Sequence, residues 1–252
     1  MTVNTNNLQI IVLAAGKSKR MGGDTPKALA ELKNKPFLRH ILDTLQRLDL
    51  VHKPIIVVGH KKEEVMDRIG SDFIYAVQQE QLGTGHAVKS AQDLTNDTHH
   101  TILVLSTDQP LISTETISNI VDEHTGKNAT ITLGTVKLPD FNEWRSGMLH
   151  FGRIVRDTDG KVEKIVEYKD ATDEEKNITE VNPAIYAFDA KWLWQNIEKI
   201  RNENAQQEYY LTDLIHAAFE QNKTVLAVPV ASVLEGLQPN TKEELAVLED
   251  LI

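Results

Sequence analysis

Short apolar stretches alternate with amphipathic stretches along the first half of the chain. The apolar stretches are rich in β-branched residues and predict strands at residues 10–14, 54–59, 73–77 and 101–106. The amphipathic stretches have helical periodicity and predict helices at residues 36–48, 61–69, 85–94 and 113–124. This alternation indicates βαβ units, a mostly parallel sheet and an α/β fold. Since right-handed crossovers bring the carboxyl ends of such strands to one edge, we expect ligands there.

The pattern changes after about residue 129. Strands are predicted at residues 129–136, 153–156, 162–166, 184–188 and 224–229, and helices at residues 191–200 and 210–221. A very polar loop covers residues 168–180 and has the length of a loop that closes over substrate. Thr241 and Glu244 fit a capping box at the start of a closing helix over residues 240–252. We interpret residues 1–252 as one domain, with a substrate-facing lobe on the same sheet.

Composition narrows the function classes. The net charge of −10 argues against a protein that binds duplex nucleic acid, which would show a basic face. The absence of cysteine excludes disulfides, thiolate catalysis and zinc–thiolate sites. The polar start of the chain does not read as a signal peptide, and no apolar run approaches the length of a membrane span. We therefore expect a cytoplasmic protein without membrane partners.

The sequence LAAGKSKRM, residues 13–21, follows the first predicted strand. Gly16 and the two small residues before it let a ligand approach the backbone closely, and successive amides at a turn can bind an anion. The loop also carries cationic side chains at Lys17, Lys19 and Arg20. The spacing matches neither a Walker loop nor G-x-G-x-x-G, which argues against a Rossmann oxidoreductase. A solvated basic turn is the alternative interpretation of this segment.

Two further segments favour the anion site. Lys27, in the sequence TPKAL, is presented from a segment stiffened by Pro26, although most lysines simply lie on the surface. Asp108 directly follows a buried-looking strand, where a carboxylate suits a divalent cation that carries phosphates. A turn or helix cap is the alternative for Asp108.

Residues 78–87, QQEQLGTGHA, follow a strand and open a helix. The Gly-Thr-Gly turn predicts free amides at the helix start. Gln78 and Gln81 offer amides that can pair with a nucleobase edge, and the orientation of either amide stays open. The alternative is a polar loop in which Thr84 caps the helix. We interpret His86 as a helix-start residue and not as a base.

Together these segments resemble the sugar-1-phosphate nucleotidylyltransferases, and within them the uridylyltransferase domains of bifunctional bacterial enzymes that make UDP-N-acetylglucosamine. The resemblance covers nearly the whole chain. It rests on the order and spacing of LAAGKSKRM, PKAL, EQLGTGHA, FGRIVRD, IVEYKDATDEE, EVN and NAQQEYYLTD. It implies a Rossmann-like core with a nucleotide-binding half (1–128), a sugar-binding half (129–239) and a closing helix (240–252).

The resemblance also implies roles for individual residues. Arg20 and Lys27 would hold phosphates and act in catalysis, and Asp108 and Asn240 would bind Mg²⁺. The nucleotide would be bound by Leu13, Ala14, Ala15, Gly16, Gln78, Gly83 and Thr84. The sugar would be bound by Gly152, Glu167, Asn182, Tyr209 and Thr212.

Four departures from the family pattern concern the sugar or the phosphate loop. Ser18-Lys19 stands where the relatives carry Gly-Thr, and Ser106-Thr107 where they carry Tyr-Gly. VNPAI replaces the usual N-T-G after the sugar-contacting asparagine. EGLQPNT is two residues longer than E-G-V-N-N, so Asn240 is the second metal ligand if Gln238-Pro239 is an insertion, and Gln238 otherwise.

The resemblance implies Mg²⁺-dependent transfer from UTP to N-acetylglucosamine 1-phosphate, giving UDP-N-acetylglucosamine and pyrophosphate. The attacking phosphate is already anionic near neutral pH, so no general base is needed and charge neutralisation is the catalytic task. Alternatives are another sugar 1-phosphate such as glucose 1-phosphate, an alditol phosphate, another base, or a non-catalytic nucleotide-sugar-binding subunit. The chain lacks the relatives' hexapeptide repeats, so we expect neither acetyl transfer nor the trimers that those repeats hold together.

Overall fold

The computed structural model describes residues 5–16, 25–96 and 98–252. The strands are β1 (Leu8–Ala14), β2 (Glu31–Leu32), β3 (Lys35–Pro36), β4 (Ile55–Val58), β5 (Ile74–Val77), β6 (Thr101–Ser106), β7 (Ile131–Lys137), β8 (Arg153–Arg156), β9 (Val162–Val166), β10 (Glu180–Val181), β11 (Tyr186–Asp189) and β12 (Val225–Pro229). The helices are α1 (Phe37–Leu45), α2 (Lys62–Ile69), α3 (Thr84–Lys89), α4 (Thr114–Gly126), α5 (Asp173–Lys176), α6 (Ala190–Asn196), α7 (Asp213–Glu220) and α8 (Lys242–Asp250).

One mixed sheet carries strands from both halves of the chain. Its order is β5-β4-β1-β6-β11-β7-β10-β8-β9, and β12 pairs with β7. The strands β5, β4, β1 and β6 are parallel neighbours. Strand β11 runs antiparallel to both β6 and β7, so β7 and its parallel neighbour β12 again follow the direction of β1. The antiparallel strands β10, β8 and β9 extend this sheet beyond β7. The predicted α/β class with a mostly parallel central sheet is confirmed.

The central strands are apolar at every position because both faces of the sheet are covered. On β1, Ile11 belongs to the core on one face, and Ile10 and Val12 belong to the core on the other face. The same alternation runs through β4 and β6. A smaller third cluster lies beneath α8 and contains Leu32, Phe37, Val136, Met148, Val181, Leu237 and Leu248. This rigid sheet holds the loops at its carboxyl edge in place.

Several elements differ from the predicted ones at their ends. The helix predicted over residues 85–94 is α3 followed by a separate 3-10 turn at Gln92–Leu94. The polar loop 168–180 contains α5, whose capping box joins Thr172 and Glu175. The closing helix begins after Thr241, whose hydroxyl accepts a hydrogen bond from the Glu244 amide. No helix in the described part of the chain is long and apolar enough to cross a membrane.

Arg153 on β8 is fully buried, and hydrogen bonds to backbone carbonyls hold its guanidinium. The acceptors are the carbonyls of Leu149, Phe151 and Lys176. The guanidinium also lies over two aromatic rings, those of Phe141 and Tyr168, 4.6 and 5.1 Å from the ring centroids. Arg153 thus ties the loop before β8 and the end of α5 to Tyr168.

We predict that Arg153→Met destabilises the fold, because buried carbonyls would lose their donors at a cost on the order of 1–3 kcal/mol. The matched control is Arg156→Met on the same strand, which removes a half-exposed ion pair with Glu180 worth roughly 0–1 kcal/mol. Denaturant unfolding followed by circular dichroism compares the two variants. Equal losses in both would contradict a staple role for Arg153.

Candidate active site

A cleft of about 1020 Å³ opens at the carboxyl ends of β1, β5 and β6. Its floor and one wall are formed by Leu13, Ala15, Gly16, Lys27, Gln78, Gln81, Gly83, Thr84, Ala87, Ser106, Thr107 and Asp108. The facing wall is formed by His150, Glu167, Tyr168, Lys169, Gln206, Glu208 and Asn240. The cleft therefore lies between the parallel part of the sheet and the segments that follow β7.

Lys27 joins the side chains of Asp108 and Asn240 at one end of the cleft. Its Nζ lies 2.8 Å from Asp108 Oδ2 and also donates to Asn240 Oδ1. The side chains of Lys27 and Asp108 are only 14% and 19% exposed. Lys27 projects from a 3-10 turn that begins directly after Pro26, whose ψ of 140° marks the entry into the turn. Asp108 stands two residues beyond β6, where the Thr107 amide donates to the carbonyl of Leu13.

The amide of Asn240 is oriented by its own loop. Its Nδ2 donates to the carbonyl of Gln238 at 2.8 Å, which leaves Oδ1 to face Lys27. Its backbone N–H donates to the Glu244 carboxylate on the first turn of α8. Gln238 instead donates through Nε2 to the carbonyl of Pro183. The structure therefore brings Asn240, and not Gln238, to Asp108.

Asp108 keeps its negative charge although it is buried. Burial alone would raise the pKa of its carboxyl, but the Lys27 ammonium and its hydrogen bond hold the pKa below the ordinary value. Oδ1 of Asp108 is buried and has no hydrogen-bond partner among the residues that the structure describes. A buried carboxylate oxygen without a donor is the kind of atom that a cation satisfies.

The oxygens of Asp108 and Asn240 fit a hard divalent cation that takes oxygen ligands. The described segments contain no group of three or more His, Cys, Asp or Glu side chains that could hold a metal. Such a cation would therefore rely on substrate oxygens as well, which is how Mg²⁺ is commonly bound beside phosphates.

At the other end of this wall, Gln78 is buried and its amide is fixed by two hydrogen bonds. Nε2 lies 3.1 Å from the carbonyl oxygen of Gly83 and 3.1 Å from Nδ1 of His86. Because a carbonyl only accepts, the group facing Gly83 must be the NH₂. Oε1 is therefore the atom of this amide that remains to accept a hydrogen bond in the cleft. The orientation that the sequence left open is determined by the Gly83 carbonyl.

Gly83 and Gly85 allow the segment around Tyr209 to pack against the start of α3. Gly83 has a φ of +108°, and a Cβ there would lie 2.7 Å from the carbonyl oxygen of Tyr209. The Gly85 amide donates to that same oxygen, and Thr84 Oγ1 accepts from the Leu211 amide. Two expectations are therefore wrong: the Gly85 amide is not free, and Thr84 is not a helix cap. Both groups are used to join the two halves of the chain.

The carboxylate of Glu167 lies in the facing wall beside three of the predicted sugar contacts. Its Oε1 accepts from the Thr212 hydroxyl at 3.2 Å, and a Cβ on Gly152 would lie 3.6 Å from both carboxylate oxygens. Asn182 donates its amide N–H to the Gly152 carbonyl and its Nδ2 to the Tyr186 hydroxyl. Burial raises the pKa of Glu167; the Thr212 hydrogen bond lowers it, and nearby acidic residues raise it further.

The structure places most predicted residues along the cleft, and their binding roles stay predictions. The cleft is lined by Leu13, Ala15, Gly16, Lys27, Gln78, Gly83, Thr84, Asp108, Glu167 and Asn240. Behind the lining lie Gly152, Asn182, Tyr209 and Thr212. Ala14 alternates with Leu13 and Ala15 and is buried in the core on the opposite face of the sheet. Arg20, Lys17 and Lys19 lie outside the described residues.

Part of the facing wall was not predicted. The rings of His150 and Tyr168 meet edge to face at 4.8 Å, and Lys169 Nζ donates to Gln206 Oε1 at 2.6 Å. These are ordinary polar and aromatic residues in loops, so the sequence carried no signal for them. A signal did exist at Gly59, which directly follows β4: a Cβ there would lie 2.9 Å from Ala15 Cβ and from Gln81 Nε2.

Comparison with known proteins identifies relatives of this chain. A model of the MobA-like NTP transferase domain matches residues 10–141. The bifunctional protein GlmU of Enterococcus faecalis is 38% identical over 246 residues, which are 98% of this chain and 52% of that protein. The chain thus spans about half the length of the curated relatives it matches. These matches confirm the resemblance that the motifs indicate.

Two solved structures share the fold. A UDP-glucose pyrophosphorylase complexed with UDP-glucose aligns with a TM-score of 0.74 over the whole of both chains at 13% identity. A 4-diphosphocytidyl-2C-methyl-D-erythritol synthase from Anaerococcus prevotii aligns with a TM-score of 0.67 at 15% identity, over 98% of this chain and 99% of that one. At these identities the likeness concerns the fold alone, and it confirms the Rossmann-like architecture.

We predict that Glu167→Gln raises the melting temperature near neutral pH. Because burial raises the pKa of Glu167 in the folded chain, the unfolded chain loses this proton first, and stability falls as pH rises from about 4.3, the ordinary glutamate pKa, through the raised value. Glutamine keeps an acceptor for Thr212 and carries no charge. The gain should be about 2–4 °C at about pH 7.5 and should vanish near pH 4.

Thermal unfolding of the wild type and Glu167→Gln at both pH values measures this gain. Glu163→Gln, also on β9, controls for the loss of one acidic side chain. A difference between Glu167→Gln and the wild type that does not depend on pH would contradict the prediction.

Proposed function

The chain belongs to the MobA-like NTP transferase family, and from that premise we propose that it transfers a uridylyl group from UTP to N-acetylglucosamine 1-phosphate. The products are UDP-N-acetylglucosamine and pyrophosphate. The convergence of Lys27, Asp108 and Asn240 at the carboxyl edge of the sheet is the observation that carries this proposal. These residues come from three distant parts of the chain, and no requirement of the fold alone explains their meeting in a cleft.

The proposed reaction is an in-line displacement at the α-phosphorus of UTP. A phosphate oxygen of the sugar phosphate forms the new P–O bond, and the bond to the β-phosphate breaks as pyrophosphate leaves. The nucleophile is already an anion, so the protein mainly positions two polyanions and stabilises the charge of the transition state. Arg20 and Lys27 are the proposed phosphate ligands. Lys27 already reaches into the phosphate end of the cleft from its stiff turn.

Asp108 and Asn240 are the proposed ligands of Mg²⁺. The unpartnered Asp108 Oδ1 and the inward-facing Asn240 Oδ1 support this assignment. The metal would supply neutralisation of phosphate charge. Asp108 contributes its ionised carboxylate, and Asn240 contributes an oxygen whose direction is set by the Gln238 carbonyl and the start of α8.

The orientation of Gln78 supports a uracil base. Its Oε1 accepts hydrogen bonds, and uracil presents an imide N3–H, whereas the N3 of cytosine is itself an acceptor. An acceptor facing an acceptor leaves a buried polar group unpaired, which is the strongest form of discrimination between similar substrates. Thymine carries the same imide group, so the choice between UTP and dTTP rests on the sequence relationship to GlmU.

The sugar assignment rests on the same relationship and on the wall around Glu167. Carboxylate, hydroxyl and amide groups at Glu167, Thr212 and Asn182 are suited to sugar hydroxyls. Glucose 1-phosphate is the second candidate, because Ser106 and Thr107 line the cleft where the closest family pattern has Tyr-Gly. This departure changes the shape of the pocket without touching Lys27 or Asp108.

We predict that Lys27→Met and Asp108→Asn each lower kcat by about 100- to 1000-fold, as expected for the loss of one preorganised charge in the transition state. Lys35→Met is the matched control, since Lys35 pairs with Asp43 away from the cleft lining. Pyrophosphate release under saturating substrates measures the effect. Near-normal turnover in both site variants would rule out this assignment.

The substrate prediction is tested with a panel of nucleotides and sugar phosphates. Mg²⁺-dependent pyrophosphate release should be fastest with UTP and N-acetylglucosamine 1-phosphate among UTP, dTTP, CTP and GTP and among the hexose 1-phosphates. A preference for CTP or GTP would overturn the uridylyl assignment. A preference for glucose 1-phosphate with UTP would retain the reaction and replace the sugar.

A further inference from the structure

His86 lies next to the proposed base site but is not part of the cleft lining among the described residues. It belongs to the first turn of α3, and its ring centroid lies 6.5 Å from that of Tyr209 at a tilt of 34°. Its contact with the site runs through Gln78, whose Nε2 lies 3.1 Å from His86 Nδ1. Any influence of His86 on the base must therefore pass through this amide.

The amide of Gln78 has two donors and two acceptors on its neighbours to match them. One N–H points to the Gly83 carbonyl and the other to His86 Nδ1. Since Nδ1 accepts, the proton of the neutral imidazole is on Nε2. Turning the amide over would place Oε1 against a carbonyl oxygen and against an imidazole lone pair at once. Both neighbours therefore oppose the flipped orientation.

We propose that His86 is a positioning residue for base selection: it doubles the bias that keeps Gln78 Oε1, and not its NH₂, toward the base. This inference rests on the proposed transfer from UTP. Without His86, the Gly83 carbonyl alone holds the amide, and a flipped Gln78 becomes accessible at the cost of one hydrogen bond. The flipped amide presents a donor to the base, which suits N3 of cytosine and opposes the imide N–H of uracil.

The surroundings of His86 are rigid enough for this role. Gln78 is only 3% exposed, and its backbone N–H continues the sheet by donating to the carbonyl of Val58. The position of α3 is fixed by the bond between the Gly85 amide and the Tyr209 carbonyl. Gln78 and His86 are thus held on two elements whose separation is set by the fold.

The test compares two substitutions of His86 with opposite expectations. His86→Phe keeps an aromatic ring beside Tyr209 and removes the acceptor. His86→Asn places a side-chain oxygen close to the position of Nδ1 and keeps the acceptor. Lys89→Gln on the same helix is the control, because Lys89 forms only a surface ion pair with Glu198. Steady-state kinetics with UTP and with CTP, together with calorimetric binding of UTP without sugar phosphate, give the readouts.

We expect His86→Phe to raise the KM and the Kd for UTP about tenfold while kcat changes less than about threefold, which marks lost binding and not lost chemistry. The ratio of kcat/KM for UTP to that for CTP should fall about tenfold. His86→Asn should retain most of this selectivity, and Lys89→Gln should retain all of it. A melting temperature close to that of the wild type shows that each variant is folded.

The two levels of the proposal fail in different ways. Unchanged UTP-to-CTP selectivity in a folded His86→Phe enzyme would overturn the role of His86 and leave the transfer from UTP intact. Equal losses in His86→Phe and His86→Asn would also overturn it, because they would show a packing role. A wild-type enzyme that does not use UTP would overturn the proposed function itself.

Discussion

The contact of Lys27 with Asp108 and Asn240 is the interaction on which the organisation of the cleft depends. A carboxylate buried beyond the end of β6 requires compensation, and the Lys27 ammonium provides it at 2.8 Å. Meeting that requirement brings the turn after Pro26 and the loop before α8 to the same edge of the sheet. Buried ion pairs add little net stability because desolvation offsets their attraction. Such an arrangement in a cleft is therefore more readily explained by function than by folding.

The second half of the chain is held against the first by a contact that only glycine permits. At Gly83 and Gly85, the backbone of the Tyr209 segment approaches so closely that a side chain would overlap it. The hydrogen bonds of Gly85, Thr84 and Tyr209 then replace the anion-binding amides that a glycine-rich helix start suggests. The turn therefore has a structural task, and it places Glu167 and Thr212 across the cleft from Gln78.

The sequence predicts the parallel strands well because each is a continuous apolar run that the sheet buries on both faces. Strand β6 has the predicted bounds, and the ladder between β1 and β6 follows from it. The hairpin of β2 and β3 and the strand β10 are two residues each, too short for any period to be visible. The choice of Asn240 over Gln238 required the loop geometry before α8.

The parts of the site that the sequence missed depend on facing and on partners. Period-two alternation places Leu13 and Ala15 in the cleft and Ala14 in the opposite core, but the motif alone does not say which face is which. The direction of the Gln78 amide depends on the carbonyl of Gly83, five residues away, and on His86. No residue type encodes that direction, since an amide offers a donor and an acceptor of nearly equal shape.

The two walls of the cleft differ in charge, and this difference bears on how the proposed substrate would lie. One end presents Lys27 together with Asp108 and Asn240 and so suits phosphate with its counter-cation. The facing wall carries Glu167 and Glu208, whose pKa values burial raises above the ordinary range because each charge is poorly solvated there. Such carboxylates repel phosphate and accept hydrogen bonds from neutral hydroxyls. A sugar phosphate has both kinds of group, so the cleft orients it with the phosphate toward Lys27 and the ring toward Glu167.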